Sequence, residues 1–139
     1  MAETIGLIAS VLQLIGSIST GLRTLRDGAT LVRDARNIVD QIEEKVQRLR
    51  KCFTLVDDYI KNSTGRLPHE LEVHRIIQDL TMSSSSSLKF IQERLPSRKA
   101  KKMVLAFQIW IHDHTMTQAM THIDEYTQYL SLLLQTLNL

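Results

Sequence analysis

The chain has 139 residues, 43% apolar and 23% charged, with five Gly and two Pro, a balance that excludes a disordered protein and suits one domain with a sizeable core. Its net charge of +2 is too small for a nucleic-acid-binding protein unless a dense basic patch exists. Its single cysteine, Cys52, excludes an internal disulfide and predicts an intracellular setting.

The first predicted element is a helix over about Thr4 to Arg26. Thr4 to Leu22 carries no charge; Glu3 precedes it, and Arg23 and Arg26 follow. As a helix this stretch is about 28 Å long, near the roughly 30 Å of a bilayer's hydrocarbon core. Gly6, Ser10, Gln13, Ser17 and Gly21 recur at helical spacing and form a narrow stripe of small or polar side chains. Leu7, Ile8, Val11, Leu12, Leu14, Ile15, Ile18 and Leu22 cover the rest of the circumference. Such a helix fits the buried centre of a soluble bundle, its stripe admitting a neighbouring backbone. It fits equally a membrane segment that packs through small residues. A signal peptide is not expected, because no Lys or Arg precedes the run and no cleavage site ends it.

Asp27-Gly28 predicts a turn, and Thr30 to Lys61 a second, long helix. Its apolar positions, Leu31, Ala35, Ile38, Ile42, Val46, Leu49, Phe53, Val56 and Ile60, advance by three or four and make a bundle seam. The opposite face is solvated, with Arg33, Arg36, Glu43, Glu44, Arg48, Arg50, Lys51 and Asp58 in reach of opposite charges. Lys61 to Pro68 reads as a loop, and the glycosylation-like Asn62-Ser63-Thr64 within it as a chance match. A third helix starts near His69, with Val73, Ile77, Leu80, Leu88, Ile91 and Leu95 as its stripe, and ends at Pro96. Ser83 to Ser87 has the composition of a linker. The stripe nevertheless resumes in phase after it, which predicts a continuous helix with a thin waist.

Ser97 is the predicted cap of a further helix that opens with Arg98, Lys99, Lys101 and Lys102 and runs to Ile111. His112 to Thr115 reads either as a bend or as helix. The last helix covers Met116 to Leu137, with Ala119, Ile123, Tyr126, Leu130, Leu133 and Leu137 as its seam. The expected fold is all-α, one antiparallel bundle over residues 1–139 of four long helices with, optionally, a short fifth.

Chemical motifs are sparse. No GxGxxG, Walker loop, GxSxG or HExxH is present, so neither an enzyme nor a bound cofactor is expected. His112, His114 and His122 resemble a metal site, but residues two apart on a helix diverge, and surface histidines are the simpler reading. Cys52 beside Lys51 reads as a structural cysteine at the seam's margin, and Asp57-Asp58 as a solvated helix end. Arg98, Lys99, Lys101 and Lys102 are candidate contacts for anionic lipid, each worth about 1 kcal/mol near such a surface. A basic first turn opposes the helix dipole, which favours a functional reason for it. No aromatics are interleaved there, which argues against nucleic acid. Trp110 reads as a core aromatic.

The opening ETIGLIASVLQLIGSISTGLRTLRD resembles the start of fungal N-terminal domains carried by STAND-class, NOD-like receptors: an acidic residue, a Gly-Leu-Ile-Ala run, then apolar residues interrupted by small ones. The closing IDEYTQYLSLLLQTLNL is similar to that family's Leu-rich last helix. The middle, with QRLRKCFTLVDDYI and SSSSSLKFIQERL, fits its helix order. The family is the HeLo-like (HELL) domains, near the HeLo and SesA types. The resemblance implies a cell-death effector of fungal innate immunity and heterokaryon incompatibility, similar to the four-helix bundle of the mixed-lineage kinase domain-like necroptosis executioner. It implies storage in the cytoplasm, activation by an upstream receptor, self-association, and permeabilisation of the plasma membrane by the first helix. The membrane-active residues so implied are Ile5, Gly6, Leu7, Ile8, Val11, Leu12, Leu14, Ile15, Gly16, Ile18, Gly21 and Leu22. The chain is then expected to be a domain excised from a longer protein. The rival expectation is a non-toxic interaction or dimerisation module in which the first helix is simply core.

Overall fold

The computed structural model describes residues 2–27, 33–62, 70–96, 109–110 and 112–137. Four long helices dominate them: α1 (Ala2–Asp27), α2 (Arg33–Lys61), α3 (Glu70–Arg94) and α4 (His114–Thr136). No strand occurs among the described residues. The predicted segments at 30–32, 63–69 and 97–108 lie outside the described residues, and with them the basic residues Arg98, Lys99, Lys101 and Lys102.

Each helix buries one narrow seam. In α1 it is Thr4, Ile8, Val11, Ile15, Ile18, Leu22 and Leu25, and in α2 Val39, Ile42, Val46, Leu49, Phe53, Val56 and Ile60. Strict alternation of three- and four-residue steps keeps a helix stripe facing one partner, the geometry of bundle packing. In α3 the seam is Ile77, Thr81, Ser84, Leu88 and Ile91, and in α4 it includes Met116, Ala119, Ile123, Leu130 and Leu134. The α2 seam therefore matches the sequence expectation from Ile42 onward, while at its start Val39 is buried and Ile38 only half-buried. In α4 the expected Ala119, Ile123 and Leu130 are buried, whereas Tyr126, Leu133 and Leu137 are half-buried at the seam's flank and Met116, Met120 and Leu134 point inward.

α1 packs on α2 and α3, and α4 packs on the same two helices from the opposite corner. Side-chain ties set the directions. Ser19 meets Glu43 and Gln47, and Arg26 meets Asp40, so α1 and α2 are antiparallel. Ser17 meets Gln92 and Gly21 meets Leu95, so α3 runs with α1. Lys45 meets Asp124 and Cys52 lies 3.6 Å from Ser131, so α4 runs with α2. Successive helices thus alternate in direction, as expected, yet each also has a parallel neighbour, which chain order alone does not reveal.

The serine run is helical throughout. Thr81 donates to the Ile77 carbonyl at 2.6 Å and Ser86 to the Met82 carbonyl at 3.3 Å, so their hydroxyls are absorbed by the turn below. Between His112 and His114 the chain bends. Asp113 has extended backbone (φ −68°, ψ 123°) and caps α4 by accepting from the Thr115 amide at 2.9 Å.

Candidate functional site

α1 is the candidate site. Within Glu3–Asp27 the most apolar 18-residue window has a mean hydropathy of 1.7, enough to cross a membrane, yet only 33% of that window is buried in the bundle. A central core helix would be mostly covered. α1 occupies a corner, so one stripe faces the core and the rest faces outward.

The residues expected to be membrane-active divide accordingly. Ile8, Val11, Ile15, Ile18 and Leu22 are buried, whereas Ile5, Leu7, Leu12, Leu14, Gly16 and Gly21 are half-buried and Gly6 is exposed. The stripe of small residues is not the packing surface of the bundle: Gly6, Ser10, Gln13 and Ser17 are exposed, and a Cβ at Gly6 would meet nothing within 4 Å. The wider branched side chains at Ile8, Val11, Ile15 and Ile18 bury more apolar area, and they take the inward face. Only at the stripe's end does close approach occur, where a Cβ on Gly21 would lie 2.2 Å from Leu95 Cδ2.

The outward face carries hydroxyls turned back on the helix. Ser10 donates to the Gly6 carbonyl (3.1 Å), Thr20 to that of Gly16 (2.9 Å) and Thr24 to that of Thr20 (2.9 Å). A hydroxyl satisfied this way is less costly to place in an apolar medium.

Polar ties hold the far end of α1. Ser19 is buried; its hydroxyl donates to Glu43 Oε1 at 3.2 Å and accepts from Gln47 Nε2 at 2.8 Å. Arg23 Nε donates to the same Glu43 oxygen at 2.9 Å. Arg26 pairs with Asp40 at 3.3 Å, and Gln92 Nε2 donates to Ser17 at 2.7 Å. Sequence reasoning missed this cluster. Ser19 sits in a run of small and apolar residues and Glu43 among other charges, and no spacing rule joins positions on different helices.

The remaining candidates are placed plainly. Trp110 is buried, as a core aromatic, beside an exposed Ile109. His112 and His114 are exposed on either side of the Asp113 bend, and His122 lies over Tyr126, with ring centroids 6.2 Å apart. No group of three metal-binding side chains occurs among the described residues. Cys52 is buried against α4, its sulfur 3.6 Å from Ser131 Oγ, in a groove of about 340 Å³ that Leu55, Leu134, Arg48 and Lys51 also line. Asp57 and Asp58 diverge. Asp57 pairs with Lys61 at 2.7 Å, and that hydrogen bond raises the lysine's pKa.

The chain matches no family model, no curated protein and no solved structure. The likeness of its two ends to HeLo-like domains therefore rests on the residues quoted above.

Proposed function

We propose that this chain is a conditional membrane-targeting module of the HeLo-like kind, which stores α1 on α2 and α3 and delivers it to the plasma membrane when activated. The supporting observation is the face that α1 turns to solvent. Gly6, Ala9, Ser10, Gln13, Ser17 and Thr20 are exposed, and none is charged. α2 has an equally regular inward seam but exposes Arg36, Asp40, Glu44, Arg48, Arg50 and Lys51. A helix that only covers a soluble core gains solubility from charges outside; a helix that must also enter lipid cannot carry them, because each costs about 2.5–3.5 kcal/mol at mid-membrane.

In lipid the buried isoleucine and leucine seam would exchange protein contacts for hydrocarbon. The stripe of Gly6, Ser10, Ser17 and Gly21, outward in the bundle over most of its length, would become available for packing copies of α1 together. Cytoplasmic storage, self-association, release by an upstream receptor and a fungal cell-death output belong to the same proposal. Arg98, Lys99, Lys101 and Lys102 would supply the first attraction to anionic lipid.

The test is dye release from anionic vesicles by the full chain, beside the variant Ser10→Lys with Gln13→Lys. Both positions are exposed, so folding stability should change by less than about 0.5 kcal/mol each. Leakage by the parent that is lost in the variant is the expected result. Undiminished leakage by the variant overturns the proposal. Intact vesicles with the concentrated parent support the rival, a non-toxic interaction or dimerisation module of a fungal immune receptor.

A further inference from the structure

The two halves of α1 are held by different forces. Among the described residues, the polar ties from α1 to other helices fall at Ser17, Ser19, Arg23 and Arg26. The close approach of the Leu95 side chain to Gly21 lies in the same half. From Ala2 to Gly16 the seat consists of Thr4, Ile8, Val11 and Ile15, flanked by half-buried Ile5, Leu12 and Leu14. The Ser10 hydroxyl there bonds within its own helix.

The distinction matters because the two kinds of contact respond differently to lipid. Apolar side chains lose little when hydrocarbon replaces a protein neighbour. Arg23 and Arg26 would lose carboxylate partners, and Ser19 and Glu43 would each be left with an unmet hydrogen bond. Gly16 stands at the border. A Cβ there would meet nothing within 4 Å, so packing does not demand a glycine, and glycine is among the residues that most weaken a helix interior. Thr20 also donates to the Gly16 carbonyl, a bond of the kind that bends helices.

We propose that α1 opens in two stages, with residues 2–16 leaving α2 and α3 as a unit that hinges at Gly16 while residues 17–26 stay tied by the Ser19–Glu43–Gln47 cluster. This rests on the reading of α1 as membrane-active and adds how its release is controlled. The freed arm is about 22 Å long at 1.5 Å per residue, shorter than the roughly 30 Å bilayer core. It can enter one leaflet but not cross. Crossing requires the polar cluster to break as well, so the cluster separates attachment from penetration.

Residue-resolved hydrogen exchange on the full chain, in solution without lipid, tests this. Amides of residues 7–16 should exchange through a shared opening about tenfold or more as frequent as that of residues 19–26, with a step at Gly16. Glu43→Ala with Gln47→Ala should raise exchange at 19–26 about tenfold and leave 7–16 within about twofold. Gly16→Ala, whose methyl has room, should merge the two levels even if the cluster variant fails to fold. A smooth gradient from Thr4 to Leu25 is ordinary end fraying and overturns the proposal, as does one protection level along the whole helix. A step that persists unchanged in Gly16→Ala overturns the hinge. No membrane enters the measurement, so its failure is distinct from a failure of the vesicle experiment.

Discussion

Gly21 of α1 lies directly beneath Leu95, at the end of α3, so close that a methyl group on Gly21 would stand 2.2 Å from Leu95 Cδ2. Five residues earlier, Gly16 faces open space. The two glycines share a helix and a residue type but differ in what surrounds them, and that contrast is measurable. Gly16→Ala should stabilise the bundle by up to about 1 kcal/mol through helix propensity. Gly21→Ala gains the same propensity but must displace the end of the Leu95 side chain, which offsets part of that gain. Urea unfolding should therefore give Gly21→Ala a lower midpoint than Gly16→Ala. Adding Leu95→Ala should shrink the penalty specific to Gly21→Ala.

Ser84 is fully buried in the α3 seam, and its hydroxyl has no hydrogen-bond partner among the described residues. An unmet buried hydroxyl costs about 1–3 kcal/mol. Ser84→Ala should therefore be neutral to stabilising, by up to about 1 kcal/mol. Ser84→Leu should cost about 1–3 kcal/mol, because it adds carbons at a fully buried position. Thermal unfolding of the two variants checks the sign of each.

The α1 seam and the α1 outer face should respond oppositely to change. Ile15 is fully buried, and Ile15→Ala should cost about 2–5 kcal/mol. Ser10 is exposed, and Ser10→Lys should shift stability by less than about 0.5 kcal/mol. Equal losses in urea unfolding would mean that the stripe of small residues packs inward after all.

The Asp113 cap should give a pH signature. The Thr115 hydroxyl, followed by the Thr115 amide, holds the Asp113 carboxyl below its ordinary range. The group is depressed in the folded chain, so its contribution is fully present above the unfolded-state value, about 3.9, and fades as pH falls through the lower folded value. Asp113→Ala should be less stable than the parent at neutral pH. The difference should close only in strong acid, in parallel unfolding curves from about pH 7 to about pH 2.

Much of the bundle is legible in the residues. The 3–4 spacing of Ile42 through Ile60 faces only one way, because most other positions of α2 are charged or polar. The return of the apolar stripe at Leu88 marks Ser83 to Ser87 as helix, although the seam passes through Thr81 and Leu80, expected in it, is only half-buried. The edges of the α4 seam are less sharply marked. Met116, Tyr126, Leu133 and Leu134 are all apolar, so several stripes of similar width compete, and packing on α2 and α3 selects among them.

Alone, the chain determines that α1 is long, uncharged over most of its length and able to suit either a core or a bilayer, since those are properties of composition and of helix rise. It does not determine which side of α1 turns inward, because apolar residues cover most of the circumference. The tertiary structure decides that. The broad side chains of Ile8, Val11, Ile15 and Ile18 bury more area against α2 and α3 than the glycine and serine stripe could, and the stripe is left outside. The polar cluster of Ser19, Glu43 and Gln47 is likewise a tertiary decision, made where two antiparallel helices bring side chains more than twenty residues apart within hydrogen-bonding distance.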